Sequence, residues 1–251
     1  MHKSLRVLVP LAVAAAPLAL MASPASAGSG SSYQTTLNSI NHSSGSGMLT
    51  VTLNGNQATV DETFTGLAAK FGGAAYPHVQ HIHDGGQGHC PTTSADKNGD
   101  GVISTTEGAP AYGPIGTTLS LSGDTSPKAG TDLKVAPSGG STTYHRTFTV
   151  TSDVASNIRR GNAVIVVHGL DPATLSKKAQ GEKSDLVPSL PLAATSPALC
   201  GVLSQMPSGG VATGTGSTAG VEDLGLLALG GGLIALGGGA FVMRRRMTAG
   251  V

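Results

Sequence analysis

The chain has 251 residues and a formal net charge of +1 at pH 7. This near-neutral balance gives no support to a nucleic-acid partner, because such proteins present a basic surface to the phosphates. Tryptophan is absent and only 3% of the residues are aromatic, so a folded core must be built mainly from Val, Leu, Ile and Ala.

The chain begins with the pattern of a secretory signal peptide over residues 1–27. Basic residues precede an apolar run at 7–21, and Ala25 and Ala27 occupy the small-residue positions of a cleavage site. A first transmembrane helix is the alternative, but the run is short and contains two prolines. We therefore predict export and cleavage after Ala27.

Residues 31–205 are predicted to form one all-β domain. Short runs of alternating apolar and polar residues are separated by Gly, Pro, Asn and Asp. The predicted strands lie at 48–67, as a hairpin around Asn54–Gly55, and at 79–83, 117–123, 144–153 and 162–170. Only 152–160 and 172–180 have room for short helical turns. The pattern favours an antiparallel β-sandwich or barrel.

The domain contains two cysteines, Cys90 and Cys200, which we expect to form one disulfide. Paired cysteines of exported proteins are usually bridged, because they fold in an oxidising compartment. Closing a loop of about 100 residues stabilises the fold by about 4–5 kcal/mol in the chain-entropy model.

The segment DKNGDGVISTTE, residues 96–107, matches the twelve-residue calcium loop. Calcium prefers oxygen ligands, and Gly101 occupies the position of the sharp turn. The predicted ligands are Asp96, Asn98, Asp100, Val102 through its carbonyl, Ser104 and Glu107. A solvated acidic loop is the alternative interpretation. The flanks CPTTSA and GAPAYGP are not expected to form helices, so we predict a free-standing loop with a structural role.

Four histidines lie in the segment HVQHIHDGGQGHC, residues 78–90. Side chains alternate along a strand, so His81 and His83 share one face and His78 lies on the other. His168 ends the apolar run AVIVVH. If that strand lies beside VQHIH, the imidazoles of 81, 83 and 168 converge. Neutral imidazoles are ligands of copper and zinc, so these three residues form a candidate metal site.

Two further histidines have no evident partner in the sequence. His145 shares a strand face with Thr143 and Thr147, which favours solvent exposure. His89 adjoins Cys90, and its role stays open. The chain contains no G-x-S-x-G elbow, so a hydrolase is disfavoured.

The region after the domain has the pattern of a membrane anchor. Residues 206–223 are small and mostly polar, which is typical of a flexible spacer. Residues 224–243 contain no charge and have the length of a transmembrane helix. Arginines begin the tail at 244–251, which is predicted to stay cytoplasmic with the domain outside. The region also resembles a sortase-type cell-wall sorting signal, but the LPxTG pentapeptide is missing.

Three segments resemble copper/zinc superoxide dismutases. They are HVQHIH, VVHGLD and LCGVL, which occur in the family's order and at similar spacing over most of residues 31–205. The resemblance implies a Greek-key β-barrel and a copper ion held by His81, His83 and His168. It also implies structural roles for His78 and Asp171, a Cys90–Cys200 bridge, and superoxide as substrate.

The sequence departs from that family in the region that holds zinc. No histidine lies between Cys90 and His145, where the calcium-type loop stands instead. The zinc site and its bridging histidine are therefore predicted to be absent, which leaves a copper-only centre. Pro197 occupies the position of the arginine that guides superoxide in the enzymes.

The segments HIHDGG and YGPIGTTL, the latter at residues 112–119, also resemble CHRD (chordin-type) domains of bacterial exported proteins. This second resemblance implies a non-catalytic envelope or adhesion module, in which calcium and the disulfide stiffen the fold and the histidines serve packing.

Overall fold

The computed structural model of the protein describes residues 30–207. The predicted signal peptide, transmembrane anchor and basic tail, and all but the first residues of the spacer, lie outside this range. Within residues 30–207, no helix combines the length and the hydropathy needed to span a bilayer.

The described part of the chain is mostly β, which confirms the predicted class. The strands are β1 Ser31–Ser39, β2 Ser46–Asn54, β3 Gln57–Thr65, β4 Lys70–Phe71, β5 Ala74–Ala75, β6 Gln80–His83, β7 Ile115–Thr118, β8 Thr142–Thr149, β9 Val164–His168, β10 Pro197–Val202 and β11 Ser204–Gln205. The α-helices are α1 Thr105–Tyr112, α2 Ser152–Arg159, α3 Lys177–Gly181 and α4 Leu192–Thr195, and short 3₁₀ turns lie at Thr93–Ala95, Pro127–Ala129, Leu133–Val135 and Pro172–Thr174.

The hairpin of β2 and β3 follows from strict alternation of buried and exposed residues in both strands. The predicted turn is displaced by one residue: Asn54 still pairs with Gln57, so the loop consists of Gly55 and Asn56. Gly55 adopts a φ of +58°, which a residue with a side chain seldom adopts.

One curled antiparallel sheet carries most of the fold, in the order β7-β6-β9-β10-β1-β2-β3-β8. The first long strand, β1, pairs on one side with β2 and on the other with β10. The predicted disulfide between Cys90 and Cys200 is confirmed. It ties β10 to the loop that follows β6.

Both faces of β6 and β9 are buried, each by a different cluster of apolar residues. Ile82, Ile165 and Val167 point into the main core inside the curled sheet. Val164 and Val166 point to the other face, where they pack with Tyr112 and Cys200. Since His81, His83 and His168 alternate with the first group, they lie on this second face.

The expectation that no helix follows the acidic loop is wrong. Residues 105–112 form α1, in spite of Gly108 and Pro110. Ser104 caps the helix by accepting from the amide of Glu107, and the Glu107 carboxylate accepts from the amide of Ser104. This reciprocal capping box satisfies amides that the first helical turn leaves free, which offsets the weak helix formers.

Candidate metal centre

Three histidines converge on the face of the sheet opposite the main core. Antiparallel pairing of β6 with β9 sets His81 opposite Val166 and His83 opposite Val164, and the His168 amide donates to the carbonyl of Val79. One nitrogen of each ring lies within 4.8 Å of the others. The predicted convergence of His81, His83 and His168 is thus present, and the group could hold a metal ion.

The second nitrogen of each ring is held by a main-chain carbonyl. Nε2 of His81 lies 3.0 Å from the oxygen of Gly130, Nδ1 of His83 lies 2.9 Å from that of Gly113, and Nδ1 of His168 lies 2.6 Å from that of Thr195. A carbonyl oxygen can only accept, so each of these nitrogens carries the proton. The lone pairs therefore reside on Nδ1 of His81, Nε2 of His83 and Nε2 of His168.

Those three nitrogens are buried and have no hydrogen-bond partner among the described residues. An unpartnered polar atom in the interior is costly, and native structures rarely retain several in one place without a ligand or water. One nitrogen of each of these rings also lies within 4.8 Å of the others. This is the arrangement that a metal ion would satisfy.

The environment keeps the three rings neutral. Burial, reinforced by the neighbouring imidazoles, lowers the pKa of His81 well below its usual value. Burial is the main cause that lowers the pKa of His83 to about 3, and electrostatic repulsion from the His168 ring is the second. Burial lowers the pKa of His168 to about 4. Neutral imidazole is the form that binds metals, so at pH 7 no proton competes with an ion for these nitrogens.

Helix α1 and two loops position the rings from three sides. Gly113, which ends α1, supplies the carbonyl to His83, and Tyr112 packs its ring edge-on against His83 at 4.6 Å. Thr105, at the start of α1, donates its hydroxyl to the carbonyl of Thr195, which also accepts from His168. Such outer partners fix ring orientation and tautomer in metal sites.

The geometry fits a small ion with an open coordination position. Imidazole nitrogens bind zinc at about 2.0–2.1 Å, which places three ligand atoms about 3.5 Å apart around one ion. Separations of at most 4.8 Å need only a small inward movement of the rings. Three neutral nitrogens suit copper or zinc and leave room for a fourth ligand.

A cavity of about 330 Å³ opens beside the three rings. Its walls include the segments that hold the histidines, among them Tyr112, Gly113, Gly130 and Thr195. The ion site therefore adjoins a space that a small molecule could enter.

The other histidines lie outside this group. His78 is fully buried, and its two nitrogens approach the carbonyl oxygens of Ala68 and His168 at 2.9 and 3.0 Å. His145 lies on the outer sheet face, where Nδ1 contacts the Asp61 carboxylate at 2.5 Å. His89 is exposed and contacts its own loop. Asp171 caps the 3₁₀ turn at Pro172–Thr174.

The acidic loop is folded around its own amides. The carboxylate of Asp96 accepts from the amides of Gly99 and Gly101, and Glu107 accepts from that of Lys97. Asn98 and Asp100 accept from the amides two positions on, and Gly101 has a φ of +89°. Among the acidic, histidine and cysteine side chains of the described residues, only the three histidines form a group compact enough for an ion. Calcium binding by the loop stays a prediction.

Sequence reasoning missed the groups that orient the histidines. Gly113, Gly130 and Thr195 act through main-chain carbonyls, which leave no signature in residue type. The capping box S-T-T-E at Ser104–Glu107 was the one available signal for α1, and hence for the wall formed by Tyr112.

Comparison of the chain with protein-family models and with curated proteins finds no match, so the chemistry of the histidine group is the basis for assigning a function.

Proposed function

We propose that residues 31–205 form an exported metal-binding β domain in which His81, His83 and His168 hold one copper ion. A single observation carries the proposal. Each ring has one buried nitrogen without a partner among residues 30–207, while its opposite nitrogen donates to a carbonyl, and one nitrogen of each ring lies within 4.8 Å of the others. The lone pairs are therefore directed at a common point before any ion arrives.

Copper is favoured by the ligand set and by the resemblance to copper/zinc superoxide dismutases. Imidazole is a ligand that copper binds strongly, and copper stands highest in the affinity order of the divalent first-row metals. The histidine-rich loop that holds zinc in the resembled family is replaced by the acidic loop. When bound, copper supplies one-electron redox chemistry at the open position.

The residues of this chain contribute orientation and a largely apolar environment. Gly113, Gly130 and Thr195 hold the ring N–H groups outward, and Tyr112 closes the side of His83. All three ligands are neutral, so an ion here keeps its full positive charge with no carboxylate ligand to offset it. This favours the lower oxidation state of copper, because burying a larger charge costs more.

Superoxide is the substrate that the resemblance implies. The cavity lining contains no lysine or arginine among the described residues, so electrostatic attraction of an anion has little source. A non-catalytic CHRD-type envelope or adhesion module is the second candidate, and this uncharged lining is the observation that favours it.

The proposed location is the cell surface, with the domain outside and the predicted helix at 224–243 in the membrane. The disulfide supports this location, since such bridges persist in oxidising compartments. The loop at 96–107 is proposed to bind calcium and to stiffen the entry into α1.

The test is metal analysis of the purified protein after reconstitution with copper or zinc at micromolar concentration. We expect one equivalent of copper, retained against competing zinc. The double substitution His81→Ala, His83→Ala should abolish binding, and His145→Ala, at an exposed histidine outside the group, should leave it unchanged. The proposal fails if the native protein binds no copper, or if His145→Ala removes it equally. A superoxide assay on the loaded protein then separates the enzyme from the non-catalytic module.

A further inference from the structure

The cavity beside the three histidines has the character of a site for an uncharged ligand. Its lining contains no Asp, Glu, Lys or Arg among the described residues. A charged molecule that entered would lose its hydration and meet no counter-charge, which is costly. The lining therefore discriminates against ions.

Most of the lining is apolar. Ile115, Leu190 and Val187 contribute branched side chains, and Tyr112 contributes an aromatic ring. Small-molecule sites are concave, mainly apolar and equipped with a few polar groups that fix orientation. Here the polar side chains are the three imidazoles, the Tyr112 hydroxyl and the hydroxyls of Thr105, Thr131 and Thr195.

Two leucines mark the mouth of the cavity. Leu133 and Leu186 both line it and yet remain 44% and 50% exposed. The two leucines come from different segments. Leu133 begins the 3₁₀ turn at Leu133–Val135, and Leu186 lies in the loop before α4. Large apolar side chains exposed together at the opening of an apolar cavity indicate that an apolar ligand covers them.

The volume sets the size of the ligand. A space of about 330 Å³ lies at the lower end of ligand sites and has room for about eleven water-sized atoms, at ~30 Å³ each. This corresponds to one or two rings, or a short branched chain.

We propose that the cavity binds an uncharged, mainly apolar organic molecule of one or two rings, seated between the mouth leucines and the three imidazoles. This inference rests on the proposed function in one respect: only if copper is bound does the organic molecule lie beside a metal ion. Binding itself follows from the shape and chemistry of the cavity, and the metal-free protein should retain it. The cavity beside the three histidines is therefore proposed to bind an organic molecule and not a small anion.

The test uses a pair of probes with the same ring system, 2-naphthol, which is uncharged at pH 7, and 2-naphthalenesulfonate, which is an anion. Calorimetric titration of the metal-free and the copper-loaded protein should show saturable binding of 2-naphthol. In the metal-free protein the sulfonate should bind at least about tenfold more weakly, because its charge finds no partner there.

Substitutions at the mouth locate the binding. Leu133→Glu and Leu186→Glu place a charge at the opening and should each weaken 2-naphthol binding by about tenfold. Leu121→Glu is the matched control, because Leu121 is 51% exposed but does not line the cavity. It should leave binding unchanged. Thermal melts of all three variants verify that the fold is retained.

Three results would overturn the inference: no saturable binding of 2-naphthol, tighter binding of the sulfonate to the metal-free protein, or an equal loss in Leu121→Glu. Metal analysis on the same samples separates this inference from the proposed function. Copper retained at one equivalent without naphthol binding removes the inference alone, and naphthol binding without copper removes the metal proposal alone.

Discussion

Nδ1 of His83 lies 2.9 Å from the carbonyl oxygen of Gly113, the residue that ends α1. This contact ties the orientation of one candidate ligand to the end of a helix that the sequence alone did not predict. Gly113 has a φ of +90°, and a Cβ there would lie 2.2 Å from the carbonyl oxygen of Asp84. A side chain at this position must therefore move either the helix end or the loop after β6.

We expect Gly113→Ala to weaken metal binding by about 10–100-fold, the loss typical when an outer partner of a histidine ligand is disturbed. Competition with a chromophoric chelator measures this affinity. Gly73→Ala is the control: its φ is +86°, and a Cβ there meets nothing within 4 Å. Both variants carry the backbone cost of a left-handed residue. Unchanged affinity in a folded Gly113→Ala protein would show that this carbonyl does not orient His83.

Acid should destabilise the metal-free protein. His83 and His168 have folded pKa values of about 3 and 4, below the ordinary 6.5, because burial disfavours the charged ring. The unfolded chain therefore binds more protons as the pH falls below 6.5, and stability is lost in that direction. A single ring with this shift contributes a loss of about 2 kcal/mol between pH 6.5 and 5.

Urea unfolding in the presence of a chelator, at pH values from 7 down to 5, measures this slope. His168→Gln removes one titrating ring, and its slope should be shallower than that of the native protein. An equal slope in the two proteins would assign the acid sensitivity to other groups.

Alkaline pH should destabilise the fold through Glu62. This side chain is 2% exposed, and burial raises its pKa to about 8, with the side chain of Gln80 acting in the opposite direction. Neither carboxyl oxygen has a hydrogen-bond partner among the described residues, so the protonated form is the one the interior tolerates. The folded state thus binds more protons than the unfolded state between pH 4.5 and 8. Stability should fall by about 2 kcal/mol from pH 6.5 to 8.

Glu62→Gln is neutral and of the same shape, so it should remove this dependence and be the more stable protein at pH 8. Urea midpoints at pH 6.5, 7.2 and 8 provide the comparison. Parallel curves for the two proteins would contradict a buried, protonated Glu62.

Loss of the disulfide should lower the stability of the domain by about 4–5 kcal/mol in the chain-entropy model, since Cys90 and Cys200 close a loop of 110 positions. The double substitution Cys90→Ser, Cys200→Ser avoids reducing agents, which would also alter copper. Denaturant unfolding measures the difference. A change below about 1 kcal/mol would mean that the unfolded chain gains little freedom when the bridge is absent.

Calcium should raise the melting temperature of the native protein if the loop at 96–107 binds it as predicted. Glu107→Gln separates this role from helix capping, because glutamine can complete a capping box but lacks the charge. We expect similar melting of the two proteins in chelator and a calcium-dependent rise in the native protein alone. An equal rise in both would place calcium elsewhere.

Alternation along the sequence predicts several of the strands, although β1, which also alternates, is not among them. Alternation predicted the β2–β3 hairpin and placed His81 and His83 on one face. The adjacency of the His168 strand was a condition of the predicted site, and the pairing of β6 with β9 meets it. The strand predicted at 117–123 is wrong in its bounds: β7 spans Ile115–Thr118, and the chain leaves the sheet after Thr118. Helix α1 was missed because Gly108 and Pro110 lower helix propensity, while the stabilising contact is a pair of side-chain hydrogen bonds at its first turn.

The cavity could not be predicted for a different reason. Its walls come from irregular segments around Gly130, Leu133 and Leu186, whose positions depend on tertiary contacts and not on local pattern. The Gly130 and Thr195 carbonyls reach the histidines from distant positions in the chain. Such contacts exist only after the whole sheet has closed.

Strand β1 is flanked by β2, its neighbour in the chain, and by β10, where Asn38 pairs with Cys200. During synthesis the first partner emerges at once, whereas the second emerges only after nearly the whole domain. Until then β1 has a bare edge, and neither β9 nor its histidine has reached its final place. Assembly of the ion-binding centre is therefore a late event in the formation of the domain, completed by one of its last strands.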